Sequence, residues 1–86
     1  MATSYPFKIV TPRGTRYEGT VESVTVPGVT GEIGILAGHA PMVCATSKGT
    51  VTIYGGGNES FDVEEGILQV TGKEAILLAD KAEPKS

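Results

Sequence analysis

His39 and Cys44 are the only histidine and the only cysteine in the chain, five positions apart. They are the one pair able to act as base and thiol nucleophile. A site of that kind needs both side chains within hydrogen-bond reach and a third group to orient the base. A spacing that crosses the Ala40-Pro41 turn does not supply this by itself, and a single histidine beside a proline turn commonly packs or makes contacts. A small Cys–His hydrolase is therefore the last of three readings, and its mark is a Cys44 that alkylates rapidly at neutral pH.

The remaining spellings are weaker. Gly66 to Gly72-Lys73-Glu74 spells part of a phosphate loop, but five residues separate its glycines instead of four, and Glu74 stands where a hydroxyl residue is needed. Asp62, Glu64 and Glu65 invite a cation, yet Asp62 and Glu64 fall on the outward positions of a strand and read as a solvated face. Asn58-Glu59-Ser60 spells a glycosylation acceptor, but Met1 to Pro6 shows neither the cationic start nor the apolar run of a secretory signal, so the spelling is expected to carry no function. The expectation is a chain without catalytic residues, metal or cofactor.

The totals bound the remaining choices. The 86 residues make one small domain, 1–86, ordered over roughly 5–80 with a frayed polar tail over 81–86. So small a domain buries only about 60% of its unfolded surface, so a partner covering further apolar area matters to it. With 7 Lys and Arg against 10 Asp and Glu, the net charge of -3 excludes a basic field for nucleic acid or anionic lipid. No segment has the length and apolarity to insert into a membrane. One cysteine among apolar neighbours suits a buried thiol in a reducing compartment.

Twelve glycines spread along the chain punctuate short strands. Tyr5, Phe7 and Ile9 alternate with Pro6 and Lys8, and Thr11-Pro12-Arg13-Gly14 suits a type I turn into a return strand over Thr15 to Glu18, closed by Gly19. From Thr20 to Val26, Val21 is out of phase with Val24 and Val26, which predicts a bulge or two buried faces. Ile33 and Ile35 share one face of the next strand. Thr50 to Tyr54 and Ser60 to Glu64 alternate cleanly around a flexible Gly55–Asn58 loop. Ala75 to Ala79 is short enough between turn signals to be a strand and not a helix. Eight to ten short strands without a substantial helix predict an all-β, flattened sandwich.

Two stretches stand out within that frame. Met42 to Ala45 is apolar on both faces, so one face of this strand is expected under another protein. Val24 to Pro41 gathers apolar Ile33, Ile35 and Leu36 in a turn-rich region beside polar Glu32 and His39, which predicts an interaction surface.

Val21 to Gly28, the Gly-Glu-x-Gly-x-Leu-x-Gly-His-Ala-Pro string from Gly31 to Pro41, and Ile76-Leu77-Leu78-Ala79-Asp80 closely resemble the epsilon subunit family of the proton-translocating ATP synthase. The resemblance runs from Phe7 to Glu83. It implies a flattened sandwich of about ten strands and a non-catalytic central-stalk subunit, turning with the gamma subunit and seating it on the ring of c subunits. By position it implies that Glu32 faces the polar loops of the c-ring, and that Thr11, His39 and Cys44 look toward the gamma subunit. Met42 joins them through the outward face expected of its strand. An exposed Glu32 pair with a basic loop residue contributes about 1 kcal/mol or less, setting register more than affinity. The implied location is peripheral, on the cytoplasmic side of a bacterial inner membrane. The family's C-terminal helical hairpin, inhibitory and in some members ATP-binding, has no counterpart before Ser86, so those activities are expected to be absent. The second reading is a free-standing β-sandwich interaction module, which differs by binding no gamma subunit.

Overall fold

The computed structural model describes residues 4–55 and 57–85. Expectations for residues 1–3, for Gly56 in the middle of its loop and for Ser86 fall outside them.

Ten strands follow one another among the described residues: β1 (Tyr5–Thr11), β2 (Gly14–Val21), β3 (Ser23–Gly28), β4 (Gly31–Leu36), β5 (Met42–Thr46), β6 (Gly49–Tyr54), β7 (Ser60–Val63), β8 (Gly66–Val70), β9 (Ala75–Ala79) and β10 (Ala82–Pro84). No helix occurs among the described residues. Two layers form, one ordered β5-β8-β9-β1-β2 and the other β4-β3-β6-β7-β10, joined where Gly28 meets Thr46. Among the described residues only β1 and β9 pair in parallel. Alternation along the strands turns Phe7, Ile9, Leu68 and Leu77 of one layer onto Val24, Val26, Ile35 and Ile53 of the other, all fully buried. At about 1.5–3 kcal/mol for each such side chain, this packing is the main force holding the layers together.

The β1–β2 hairpin turns at Pro12-Arg13 as expected, and Thr11 fastens it. Its Oγ1 donates to Gly14 O at 3.2 Å and accepts from Arg13 N at 3.2 Å. The return strand does not stop at Gly19. Gly19 pairs with Phe7 inside β2, where an added Cβ would lie 2.9 Å from the Tyr17 Oη. The glycine therefore makes room for the Tyr17 ring, which packs against Phe7 and, edge-on, Phe61 with centroids 6.1 and 5.7 Å away. The break comes at Glu22 instead. Val21 thus ends one strand while Val24 and Val26 belong to the next, and all three are buried. Their phase shift records the passage between layers.

The tail expected to fray is paired. Ala82–Pro84 forms β10 against β7, Ala82 is buried, and Lys85 N donates to Ser60 O at 2.8 Å. Register between β1 and β2 slips past Arg16, whose Nε donates to Ala82 O at 3.1 Å. One small apolar residue and a set of backbone bonds are enough to order a polar segment.

Tyr5 crosses between the layers to donate its hydroxyl to Ile35 O at 2.8 Å in a buried setting. Desolvation by burial pushes its phenol from 10.0 up to about 12. The unfolded chain therefore loses this proton first as pH rises. Stability from the neutral phenol is complete below about pH 10 and falls by about 2 kcal/mol toward pH 12. Tyr5→Phe is expected to cost about 1–2 kcal/mol at pH 7. It should also flatten the alkaline loss between pH 10 and 12, as read by urea denaturation across pH. An unchanged alkaline slope in the variant would remove Tyr5 from this role.

Candidate interaction surface

The layer β5-β8-β9-β1 has an outer side that the rest of the chain leaves uncovered. Register brings Ala45, Ile67, Leu78 and Val10 into one row across four strands. The next row is Val43, Gln69, Ile76 and Lys8, with Lys8 ending in an ion pair to Glu18 at 3.7 Å. Val43 is 70% exposed, Ile67 49% and Leu78 44%. These side chains alternate with buried Leu68 and Leu77 because successive strand residues point to opposite faces. An open depression of about 390 Å³ lies over Val10, Pro12, Ile67 and Leu78. It offers shape and apolar area without any cluster of reactive groups.

The residues singled out by sequence are divided among three places. Thr11 rims the depression but is itself buried, with its hydroxyl committed to the turn. Met42 and Cys44 are half-buried and pack against the core. The outward face of β5 is carried instead by Val43 and Ala45. The both-sided apolarity of Met42 to Ala45 is thus real, but its outward member is the neighbouring residue. Parity along a strand cannot be read from a run that is apolar throughout, since a shift of one residue exchanges the two faces.

Glu32 lies on the outer side of the other layer, exposed, opposite Pro27 and one residue from the β3–β4 turn. Val29, at the tip of that turn, is also exposed. A line of register partners, Ala79, Gly66, Thr46, Gly28 and Gly31, places this turn and the Thr11 turn at one end of the sandwich. His39 sits at the opposite end, in the β4–β5 connection, beside the Thr71–Glu74 turn. Its backbone N–H donates to Leu36 O at 3.1 Å. Its Nδ1 lies 2.7 Å from Ala40 O; a carbonyl only accepts, so Nδ1 is the donor, and Nε2 has no partner among the described residues. The imidazole is therefore turned to its own loop, and Cys44 toward the core.

Val43, Ile67 and Leu78 were missed by reading the sequence for chemistry. A signal was present: Ala75 to Ala79, like Met42 to Ala45, is apolar at every position, although a thin sandwich buries only alternate residues.

Comparison with known proteins follows this geometry. The model of the family described as ATP synthase, Delta/Epsilon chain, beta-sandwich domain matches residues 4–85. The ATP synthase epsilon chain of Rhodopseudomonas palustris (strain BisB18) is 42% identical over 83 residues, covering 95% of this chain and 61% of that protein. ATP synthase epsilon chain 1 of Nitrobacter hamburgensis is 43% identical over 83 residues, again 95% of this chain and 61% of that protein. The chain thus spans about three fifths of these curated relatives. A chain in the cryo-EM structure of the Euglena gracilis mitochondrial ATP synthase OSCP/F1/c-ring assembly superimposes with a TM-score of 0.89 at 18% identity, covering 98% of this chain and 55% of that one. A second, from the central stalk and c-ring of the Tetrahymena thermophila mitochondrial enzyme, gives 0.77 at 10% identity, covering 92% of this chain and 65% of that one. At these identities the structures establish the shared fold.

Proposed function

This chain belongs to the ATP synthase delta/epsilon chain β-sandwich family, and from that membership we propose that it is a non-catalytic central-stalk part of an ATP synthase, bridging the gamma subunit and the c-ring. The observation that carries the reading is the separation of two surfaces. The exposed apolar rows sit on one layer, and Glu32 with the β3–β4 turn sits on the other. A torque-transmitting adaptor needs two such independent contacts.

The apolar rows are assigned to the gamma subunit. Val43, Ile67 and Leu78 supply the burial, Thr11 rims their depression, and Met42 and Cys44 support the strand from behind. His39 is assigned to the same partner at the far end of the layer, through its Nε2. Glu32 is assigned to polar loops of the c-ring. Bacterial relatives support a place on the cytoplasmic face of a bacterial inner membrane.

Titration calorimetry of the chain against isolated gamma subunit tests the reading. Saturable binding is expected; no heat from a demonstrably folded chain would instead favour the free-standing interaction module. Glu32→Lys is expected to leave the fold and gamma affinity intact while lowering proton-coupled ATP synthesis in reconstituted vesicles several-fold. Its direct contribution to the contact is only about 1 kcal/mol, but the reversed charge adds repulsion from a basic loop. Unchanged coupling would take Glu32 out of the c-ring contact.

A further inference from the structure

Among the described residues, β4 pairs with β3 alone, so its other edge is open. The backbone groups on that edge follow from Pro27. It stands opposite Glu32, has no N–H, and its carbonyl accepts Ser47 N at 2.8 Å. Pro27 and Glu32 are therefore a non-hydrogen-bonded pair. Pairs alternate along an antiparallel ladder, so the N–H and C=O of Glu32 and of Gly34 point away from β3. Among the described residues no bond beyond the ladder takes them up, whereas the outward Leu36 O receives His39 N at 3.1 Å.

Apart from the single charge of Glu32, the usual guards of an edge strand are missing here. β4 carries no proline, no lysine and no register slip, and a Cβ added at Gly34 would meet nothing within 4 Å. The edges of β2 and β10 contrast with it, since the bulged Arg16 ties the first to Ala82 of the second.

Side chains on the same edge say what could cover it. Glu32 and Leu36 both point to the outer side, with the bare Gly34 midway between them. Leu36 is 66% exposed. The Glu32 carboxylate has no cation within 4.0 Å among the described residues.

We propose that the open edge of β4 accepts an extended segment of a partner polypeptide as an added strand, with a Lys or Arg beside Glu32 and an apolar residue four positions away beside Leu36. The backbone groups of Glu32 and Gly34 supply the hydrogen bonds, and Gly34 lets the added strand approach closely. The charge and the apolar side chain fix its register. This reading concerns β4 alone and does not depend on which assembly the chain joins.

The test is amide NMR of the 86-residue chain with the peptide acetyl-Leu-Thr-Val-Thr-Lys-amide as probe, which in antiparallel register sets its lysine opposite Glu32, its valine in a hydrogen-bonded pair with Gly34 and its leucine opposite Leu36. Shift changes and slowed solvent exchange are expected at Glu32 and Gly34, with affinity in about the millimolar range. Replacing the probe's lysine by glutamate should weaken binding about threefold to fivefold. N-methylation of its central valine should abolish it. Gly34→Pro removes an N–H that points outward and should also abolish binding; if that variant does not fold, the N-methylated probe answers the question on the unaltered protein. The proposal is overturned by unmoved Glu32 and Gly34 amides at about 5 mM probe, by shifts that survive N-methylation, or by shifts gathered at Val43, Ile67 and Leu78.

Discussion

Gly66→Ala is expected to unfold the chain or cost it more than about 4 kcal/mol, a loss comparable with the whole stability of a small domain. Gly66 begins β8 and is paired on both sides, with Thr46 of β5 and Ala79 of β9. A Cβ there would overlap the Leu78 carbonyl oxygen and lie 2.8 Å from the Ala79 Cα. Both are backbone atoms held in the ladder, so no side-chain rotation relieves the clash. Relief requires parting β8 from β9 near the point where the layers join. The reading is checked by urea denaturation followed by circular dichroism. A loss below about 1 kcal/mol would mean that the backbone yields there. Gly34→Ala is the contrast, since that position opens to empty space and should cost little.

Leu78→Asp is expected to leave the fold intact and to weaken binding to gamma by about a hundredfold or more, the scale of a central interface residue. Leu78 is 44% exposed at the middle of the row formed with Ile67 and Val10, so its charge is solvated in the free chain and desolvated under a partner. Its neighbour gives the control. Leu77 is 0% exposed, and Leu77→Asp should unfold the chain because an unpaired carboxylate would enter the core. Calorimetry against gamma, with circular dichroism for folding, reads both variants. A folded Leu78→Asp chain that binds gamma with unchanged affinity would move the docking surface off this layer.

The two leucines show how far sequence reading reached. Alternation around Phe7, Ile9, Val51, Ile53, Phe61 and Val63 identified the buried faces of β1, β6 and β7 directly, because polar residues occupy the intervening positions. From Met42 to Ala45 of β5 and throughout β9 every position is apolar, and the same rule has nothing to act on. Which of the pairs Met42/Cys44 and Val43/Ala45 faces outward, and whether Leu77 or Leu78 does, is therefore not legible there, whereas Ile67 of β8 shares its outward face with polar Gln69 and is legible by alternation. The Gly-His-Ala-Pro corner was visible as a turn, but the hydrogen bond from the His39 ring to Ala40 O was not.

By itself the sequence determined the all-β class, the approximate strands and the family, since all of these follow from local periodicity, turn residues and recognisable strings. Tertiary structure alone decided which side of each apolar strand is covered, that Glu32 and the apolar rows lie on opposite layers, that the tail pairs as β10, and that β4 ends the second layer with an open edge. Those properties depend on which strands become neighbours. Neighbours are set by the closure of the two layers over a common core, and no local pattern in a single strand records them.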